Sequence, residues 1–237
     1  MTDLATVFAP DRLVELTQPL GPATGLWPGS RPFAATVVVD YDRDGGYARE
    51  IDVPEHAGTH LDAPAHFVRN GSRVDQIPIE ALVRPAVKLD VRALINDDPG
   101  ATVDAAAIRA LEEQDGRIEP GTAVLVHTGW DAHWRDAERY VGSNGPSFPG
   151  LTCDAAALLV ERGVAGLGID TPGVDPGFSE DFAVHQTTLP AGMWHLEGLV
   201  GLERVPPRGA WLIAAPLFLV DGSGAPARVF AVLPDGA

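Results

Sequence analysis

The 237-residue sequence predicts an α/β fold, a single domain whose mixed sheet is flanked by helices. Two buried-strand runs, residues 121–127 and 164–170, each follow a stretch of helical spacing, residues 103–114 and 151–162, and such alternation marks α/β organisation. The chain is also strand-rich before and after that alternation, so part of the sheet needs antiparallel partners. No repeat, low-complexity tract or interdomain linker interrupts it, and residues 1–237 read as one unit.

Taken in order, residues 12–16 form a short first strand. Residues 17–33 hold four prolines and three glycines and read as a loop carrying Trp27. Residues 33–41 are β-branched and apolar, residues 42–46 are turn-rich, and residues 47–53 alternate, which predicts a β-hairpin. A turn at Gly58 and an extended piece follow, with helix possible only after Pro64. Residues 69–72 are a turn, 78–82 a short helical or irregular piece, and 85–91 a strand. Asp104 is positioned to cap or charge the first turn of the 103–114 helix, and Thr152 to cap the 151–162 helix. Strand 121–127 ends at Thr128-Gly129-Trp130, and strand 164–170 ends at Asp170 before a Pro-Gly turn. A short helix precedes Pro190, and residues 210–220 and 227–233 complete the strands. Pro206-Pro207 is a local turn rather than a boundary.

Composition removes several function classes. A net charge of −16 repels phosphate backbones, so nucleic acid is not expected as a partner. The lone Cys153 excludes an internal disulfide and reads as a buried small residue rather than a nucleophile. Residues 1–10 lack the features of an export leader, and no apolar run reaches the ~18 residues of a membrane span. The expectation is a cytoplasmic protein. A chain of this size buries roughly 70–75% of its unfolded surface and needs no metal merely to fold.

The chemistry concentrates in His56-Ala57-Gly58-Thr59-His60-Leu61-Asp62-Ala63-Pro64-Ala65-His66-Phe67, which holds three of the seven histidines. Imidazole and carboxylate without cysteine suit Zn, Mn or Fe(II) in an open, catalytic site better than a closed structural one. An extended backbone would turn His60 and Asp62 to one side. Chance clustering is the competing reading, at roughly one in ten for this density with Gly and Pro setting the backbone. The segment is not a zincin helix, because Ala57 follows the first histidine. Further ligands must come from elsewhere, and His185 and Glu197 are the candidates: a carboxylate in an apolar run is buried and partnered, or on a turn. His195, two residues from Glu197, shares its face. Trp130 stands at a strand end and could line a site; His127 reads as a satisfied core histidine. Asp170 is either a second partner to a metal histidine or a turn cap.

The His-x-Gly-Thr-His-x-Asp-x-Pro-x-His-Phe stretch resembles the signature of the cyclase family of metal-dependent hydrolases, which includes bacterial kynurenine formamidase and isatin hydrolase. Phe148-Pro149-Gly150-Leu151, Gly168-Ile169-Asp170-Thr171-Pro172 and Gly222-Ser223-Gly224-Ala225-Pro226-Ala227-Arg228 match it as well, so the likeness runs from about Val14 to Leu233. It implies a swivelling β/β/α-like fold and a site of one or two divalent ions, Zn or in its place Mn. His56, His60 and Asp62 would hold the first ion, and Asp62, His185 and Glu197 the second. His66 would be the general base and then acid, and Trp27 would contact an aryl substrate. Ser30 stands where the family has Asp, and Gly198 where it has Asn. The implied reaction is hydrolysis of an N-formyl aryl amine, or opening of a lactam ring as in isatin hydrolase, by a homodimer or homotetramer. A non-catalytic metal- or ligand-binding protein on the same scaffold is the rival from another class.

Overall fold

A computed structural model describes residues 4–236. The reading of residues 1–10 therefore extends, at residues 1–3, outside the described residues. The strands are β1 Leu13–Glu15, β2 Ala34–Val39, β3 Ala48–Asp52, β4 His60–Asp62, β5 Val83–Asp90, β6 Thr102–Val103, β7 Ala123–His127, β8 Gly150–Leu151, β9 Gly166–Ile169, β10 Trp194–Glu197, β11 Trp211–Pro216 and β12 Gly224–Val232. The principal sheet runs β1-β12-β11-β5-β7-β9-β10-β4, and β4 pairs again with β12. Seven strands thus close a circuit, with β1 added alongside β12. The run β5-β7-β9-β10 is parallel, as the intervening helices require; β4, β12 and β11 complete the circuit antiparallel.

Alternation along the strands sorts side chains into two cores. One collects Leu61, Leu125, Leu196, Leu212, Ala225 and Val229 from around the circuit. The other packs Val87, Val124, Val126, Leu167 and Ile169 against the helices Ala105–Asp115 and Cys153–Glu161 through Ile108, Ala155 and Leu159. Each fully buried Val, Leu or Ile side chain among them contributes about 1.5–3 kcal/mol. The sheet is mixed as expected, and its helices lie against the parallel run.

The hairpin forms between β2 and β3, with a single helical turn Tyr41–Asp44 that starts one residue before the predicted turn because β2 ends at Val39; Asp40 caps it by accepting from Asp42 N. Asp104 likewise caps its helix through Ala107 N. Three local expectations fail. Thr152 occupies the cap position, but its hydroxyl shares its one hydrogen between Asp154 and Val103 O and accepts nothing from the helix. Cys153 is exposed, because the helix register turns Ala155 and Ala156 to the core and Cys153 with Asp154 outward. The final strand begins at Gly224, three residues early, while residues 217–220 leave the sheet and expose Leu217, Phe218 and Val220. No helix among the described residues is long and apolar enough to cross a membrane.

Candidate metal centre

Strands β4 and β10 lie antiparallel, with His60 opposite Glu197 and Asp62 opposite His195. Because side chains alternate, these four share one face, while Leu61 and Leu196 enter the core on the other. The helix Ala183–Thr188 delivers His185 onto that face. His56 arrives from the segment after the hairpin, and His66 from a single 3-10 turn, Pro64–His66. The structure therefore gathers His56, His60, Asp62, His66, His185 and Glu197, which are far apart in the chain. Asp62 is completely buried, and His60, His185 and Glu197 are each about 5% exposed.

The polar atoms converge on Asp62 and Glu197. His56 Nδ1 lies 2.6 Å from Asp62 Oδ1, and His60 Nε2 lies 3.3 Å from the same oxygen and 3.4 Å from Glu197 Oε2. His185 Nε2 is 3.3 Å from Asp62 Oδ2 and 3.4 Å from Glu197 Oε1. The outward nitrogens are committed elsewhere. His60 Nδ1 donates to Gly58 O at 2.9 Å, and His185 Nδ1 to Asp175 Oδ2 at 2.5 Å. Thr188 gives its hydroxyl hydrogen to Val184 O, so it must accept from His195 Nε2 at 2.7 Å. That leaves the His195 Nδ1 lone pair 3.8 Å from Asp62, buried and without a hydrogen-bond partner. Acceptor thus faces acceptor across the cluster, an arrangement neutralised only by shared protons or by a cation. Asp62, His185, His195 and Glu197 form one group able to share an ion, and His56, Asp62 and His66 another. Nitrogen and oxygen donors of this kind fit a divalent cation.

Without the cation, protons carry the compensating charge. Burial opposes a charged His60, but Asp62 and Glu197 override it and lift its pKa to about 10. Burial likewise opposes a charged His185, and Asp175, Asp62 and Glu197 raise it well above the usual histidine value. Burial and the Asp62 charge would raise Glu197; hydrogen bonds from His185 and His60 prevail and bring it to about 2. Asp62 is held well below the carboxylate range against its burial, by His56 and His60. His66 goes the other way. Desolvation pushes it down to about 4; the charges of Asp62 and Glu197 oppose the displacement, His56 and His185 add to it, and at pH 7 the ring is neutral.

Above the cluster opens a pocket of about 350 Å³, lined by Trp27, Phe67, Tyr140, Phe148 and Phe182 as well as His56, His60, His66, His185 and Glu197. Trp27 meets Phe148 edge-on at 6.3 Å and Phe182 at 6.0 Å. Ser30 borders the same pocket. Gly198 has φ +67, the left-handed region that Gly and Asn both adopt, and a Cβ there would come within 2.6 Å of Gly58 O. Its carbonyl accepts from Thr59 Oγ1 at 2.5 Å and Gln18 Nε2 at 3.0 Å, tying the end of β10 to the histidine stretch.

Several expectations are corrected. Asp170 meets no site histidine, nor does its side chain cap its own Pro-Gly turn: it accepts from Thr128 N, Thr128 Oγ1 and Gly129 N, at the turn that ends β7. The carboxylate that orients a site histidine is Asp175, five residues on, which also accepts from Val184 N and His185 N. Trp130 is buried away from the pocket, donating Nε1 to Tyr140 O. His127 is buried, but its Nδ1 has no hydrogen-bond partner. Asp175 and Thr188 were not singled out in the sequence; the Asp beyond a Pro-Gly turn and the Thr one helical turn past His185 were the available signals.

Comparison with known proteins agrees with this geometry. The family described as "Putative cyclase" matches residues 14–176. The chain is 30% identical to isatin hydrolase of Roseibium aggregatum, across 94% of this chain and 92% of that one. It is 34% identical to kynurenine formamidase of Salinibacter ruber, across 94% and 97%. An isatin hydrolase solved with the product analogue thioisatinate superposes with TM-score 0.92 at 28% identity, covering 98% of this chain and 97% of that one. Isatin hydrolase A from Ralstonia solanacearum superposes with TM-score 0.90 at 34% identity, covering 98% and 96%. With its matching strand circuit and its His/Asp/Glu cluster, the chain belongs to the cyclase family.

Proposed function

We propose that the protein is a metal-dependent amide hydrolase, cleaving the carbon–nitrogen bond of an N-formyl aryl amine. The observation that carries this reading is the convergence of imidazole lone pairs and two buried carboxylates at the base of an aromatic-walled pocket. His56, His60, Asp62, His185 and Glu197 would hold the ion or ions, Asp62 and Glu197 facing both sides. Bound there, a divalent cation supplies Lewis-acid polarisation of an amide carbonyl and makes water acidic near neutral pH. Zn is the metal we assign, with Mn able to take its place.

The remaining work falls to the chain. His66, neutral at pH 7 and reaching the pocket beside the ligand cluster, accepts a proton from the attacking water on a ring nitrogen. As the carbon–nitrogen bond breaks, it returns that proton to the leaving nitrogen, so formate and an aryl amine depart. Its ring stacks on His56 at 4.0 Å, which holds the imidazole in place. Trp27, Phe148 and Phe182 supply faces and edges for an aryl ring and exclude water around the reacting bond.

A second reading, opening of an aryl lactam, has its own support. The described residues lining the pocket include no Lys or Arg, so the pocket offers no side-chain counter-ion to the carboxylate of an amino-acid substrate. A neutral bicyclic amide needs none. We also read the protein as a cytoplasmic homodimer or homotetramer; the exposed Val37, Val38 and Ile51 of the hairpin support a partner surface.

The test is hydrolysis of N-formylkynurenine, isatin and simple aryl formamides by protein reconstituted with Zn or Mn. Turnover of an aryl amide, abolished by chelation without loss of secondary structure, is the expected result. Metal binding with no turnover on any of them would favour a binding protein.

A further inference from the structure

The segment that ends in His56 is tied to the start of β12 through two side chains that lie outside the ligand cluster. His56 Nε2 is 3.0 Å from Ser223 Oγ, while its Nδ1 faces Asp62 at 2.6 Å. Ser223 Oγ in turn lies 2.8 Å from Glu55 Oε2, and Ser223 N donates to the same oxygen at 3.0 Å. A carboxylate only accepts, so Ser223 must spend its one hydrogen on Glu55. Its oxygen then presents lone pairs to His56, and Nε2 must carry the ring proton. The nitrogen turned to the cluster is left with its lone pair.

The backbone reinforces the arrangement. Ala63 N donates to Ser223 O at 2.9 Å, and Gly224 pairs with Asp62 across the β4–β12 ladder. A Cβ at Gly224 would stand 2.4 Å from His56 Cε1, so only a glycine there leaves room for the ring. His60, His185 and His195 have fixed acceptors on their outer nitrogens: Gly58 O, Asp175 and the Thr188 hydroxyl, whose hydrogen is spent on Val184 O. The hydroxyl that faces His56 is fixed by Glu55, and without Glu55 it could turn its hydrogen either way.

We propose that Glu55 and Ser223 are positioning residues that lock His56 in the Nε2-protonated tautomer and so make its Nδ1 a metal ligand. The inference rests on the metal-site reading above. Outer partners of ligand histidines typically govern 10- to 100-fold in metal affinity.

The test titrates Zn into metal-free full-length protein, by competition with a chromophoric chelator, for wild type, Glu55→Ala, Ser223→Ala and Ser223→Thr. Glu112→Ala serves as control, removing the remote partially buried pair with Arg162. Glu55→Ala and Ser223→Ala are expected to weaken Zn by about 10- to 100-fold, while Ser223→Thr, which keeps the hydroxyl, stays within a few-fold. Glu112→Ala should lower Tm and leave Zn affinity alone. Nitrogen-15 shifts of the His56 ring in the Zn-loaded wild type should report protonated Nε2, a readout independent of how the variants fold. A protonated Nδ1 on that ring, or wild-type affinity in Glu55→Ala, overturns the proposal while leaving the metal site standing. Absence of Zn binding by the wild type removes the metal-site reading itself.

Discussion

Asp175 and His185 are joined by a 2.5 Å bond from Nδ1, and the same carboxylate receives the backbone N–H groups of Val184 and His185. One side chain thus caps the start of the helix Ala183–Thr188 and sets the tautomer of the histidine on it. Asp175→Ala should weaken divalent-metal affinity by about 10- to 100-fold, measured by chelator competition. Undiminished affinity would show that His185 needs no such partner.

His66 separates catalysis from binding. His66→Ala should keep the metal, because His56, His60, Asp62, His185 and Glu197 remain to hold it, while kcat falls by about 100- to 10,000-fold. Metal content and turnover measured on the same sample decide the point, and loss of metal in step with activity would recast His66 as a ligand.

The protons that substitute for the cation predict a pH dependence. His60 has a folded pKa of about 10 against an ordinary value of 6.5. In the metal-free protein its contribution to stability is fully present below pH 6.5 and drains away as pH rises through about 10. Metal must displace that proton, so Zn binding should release protons at neutral pH and tighten as pH rises. Calorimetry in buffers of different ionisation enthalpy measures the release; a heat independent of buffer would contradict it.

Trp27 touches Phe148 and Phe182 at the pocket rim. Aromatic contacts of this kind contribute about 0.5–1.5 kcal/mol each. Trp27→Ala should therefore raise KM for aryl amides several-fold to ten-fold, with little change in kcat and none in Tm beyond a few degrees. Steady-state kinetics on the preferred aryl substrate checks this, and an unchanged KM would place the aryl group elsewhere.

Gly224 offers a steric test. An alanine there puts Cβ 2.4 Å from His56 Cε1 and 2.8 Å from Leu61 O. Overpacking of that kind costs about 1–3 kcal/mol. Gly224→Ala should lower Tm and weaken Zn binding together, as thermal melts with and without Zn would show.

The local chemistry of the site was legible because it is written contiguously. The period-2 placement of His60 and Asp62, the turn at Gly58 and the break at Pro64 all act within a few residues. Glu197 betrayed itself as a carboxylate in an apolar strand. The closed strand circuit was not legible, because β12 meets β4 across some 160 residues and pairing of that range leaves no local periodicity. Asp170 and Asp175 illustrate the same limit. Both flank one Pro-Gly turn, and only the packing of the helix Ala183–Thr188 decides which carboxylate meets a site histidine. Cys153 reads as buried by residue type, yet the register of its helix turns it outward.

The central claim is that a cation sits among His60, Asp62, His185 and Glu197. Anomalous diffraction from a Zn-loaded crystal measures this directly. The account predicts a peak within bonding distance of His60 Nε2, His185 Nε2 and the two carboxylates; a protein saturated with Zn whose peak lies elsewhere, with those four side chains bonded only to one another, would contradict it.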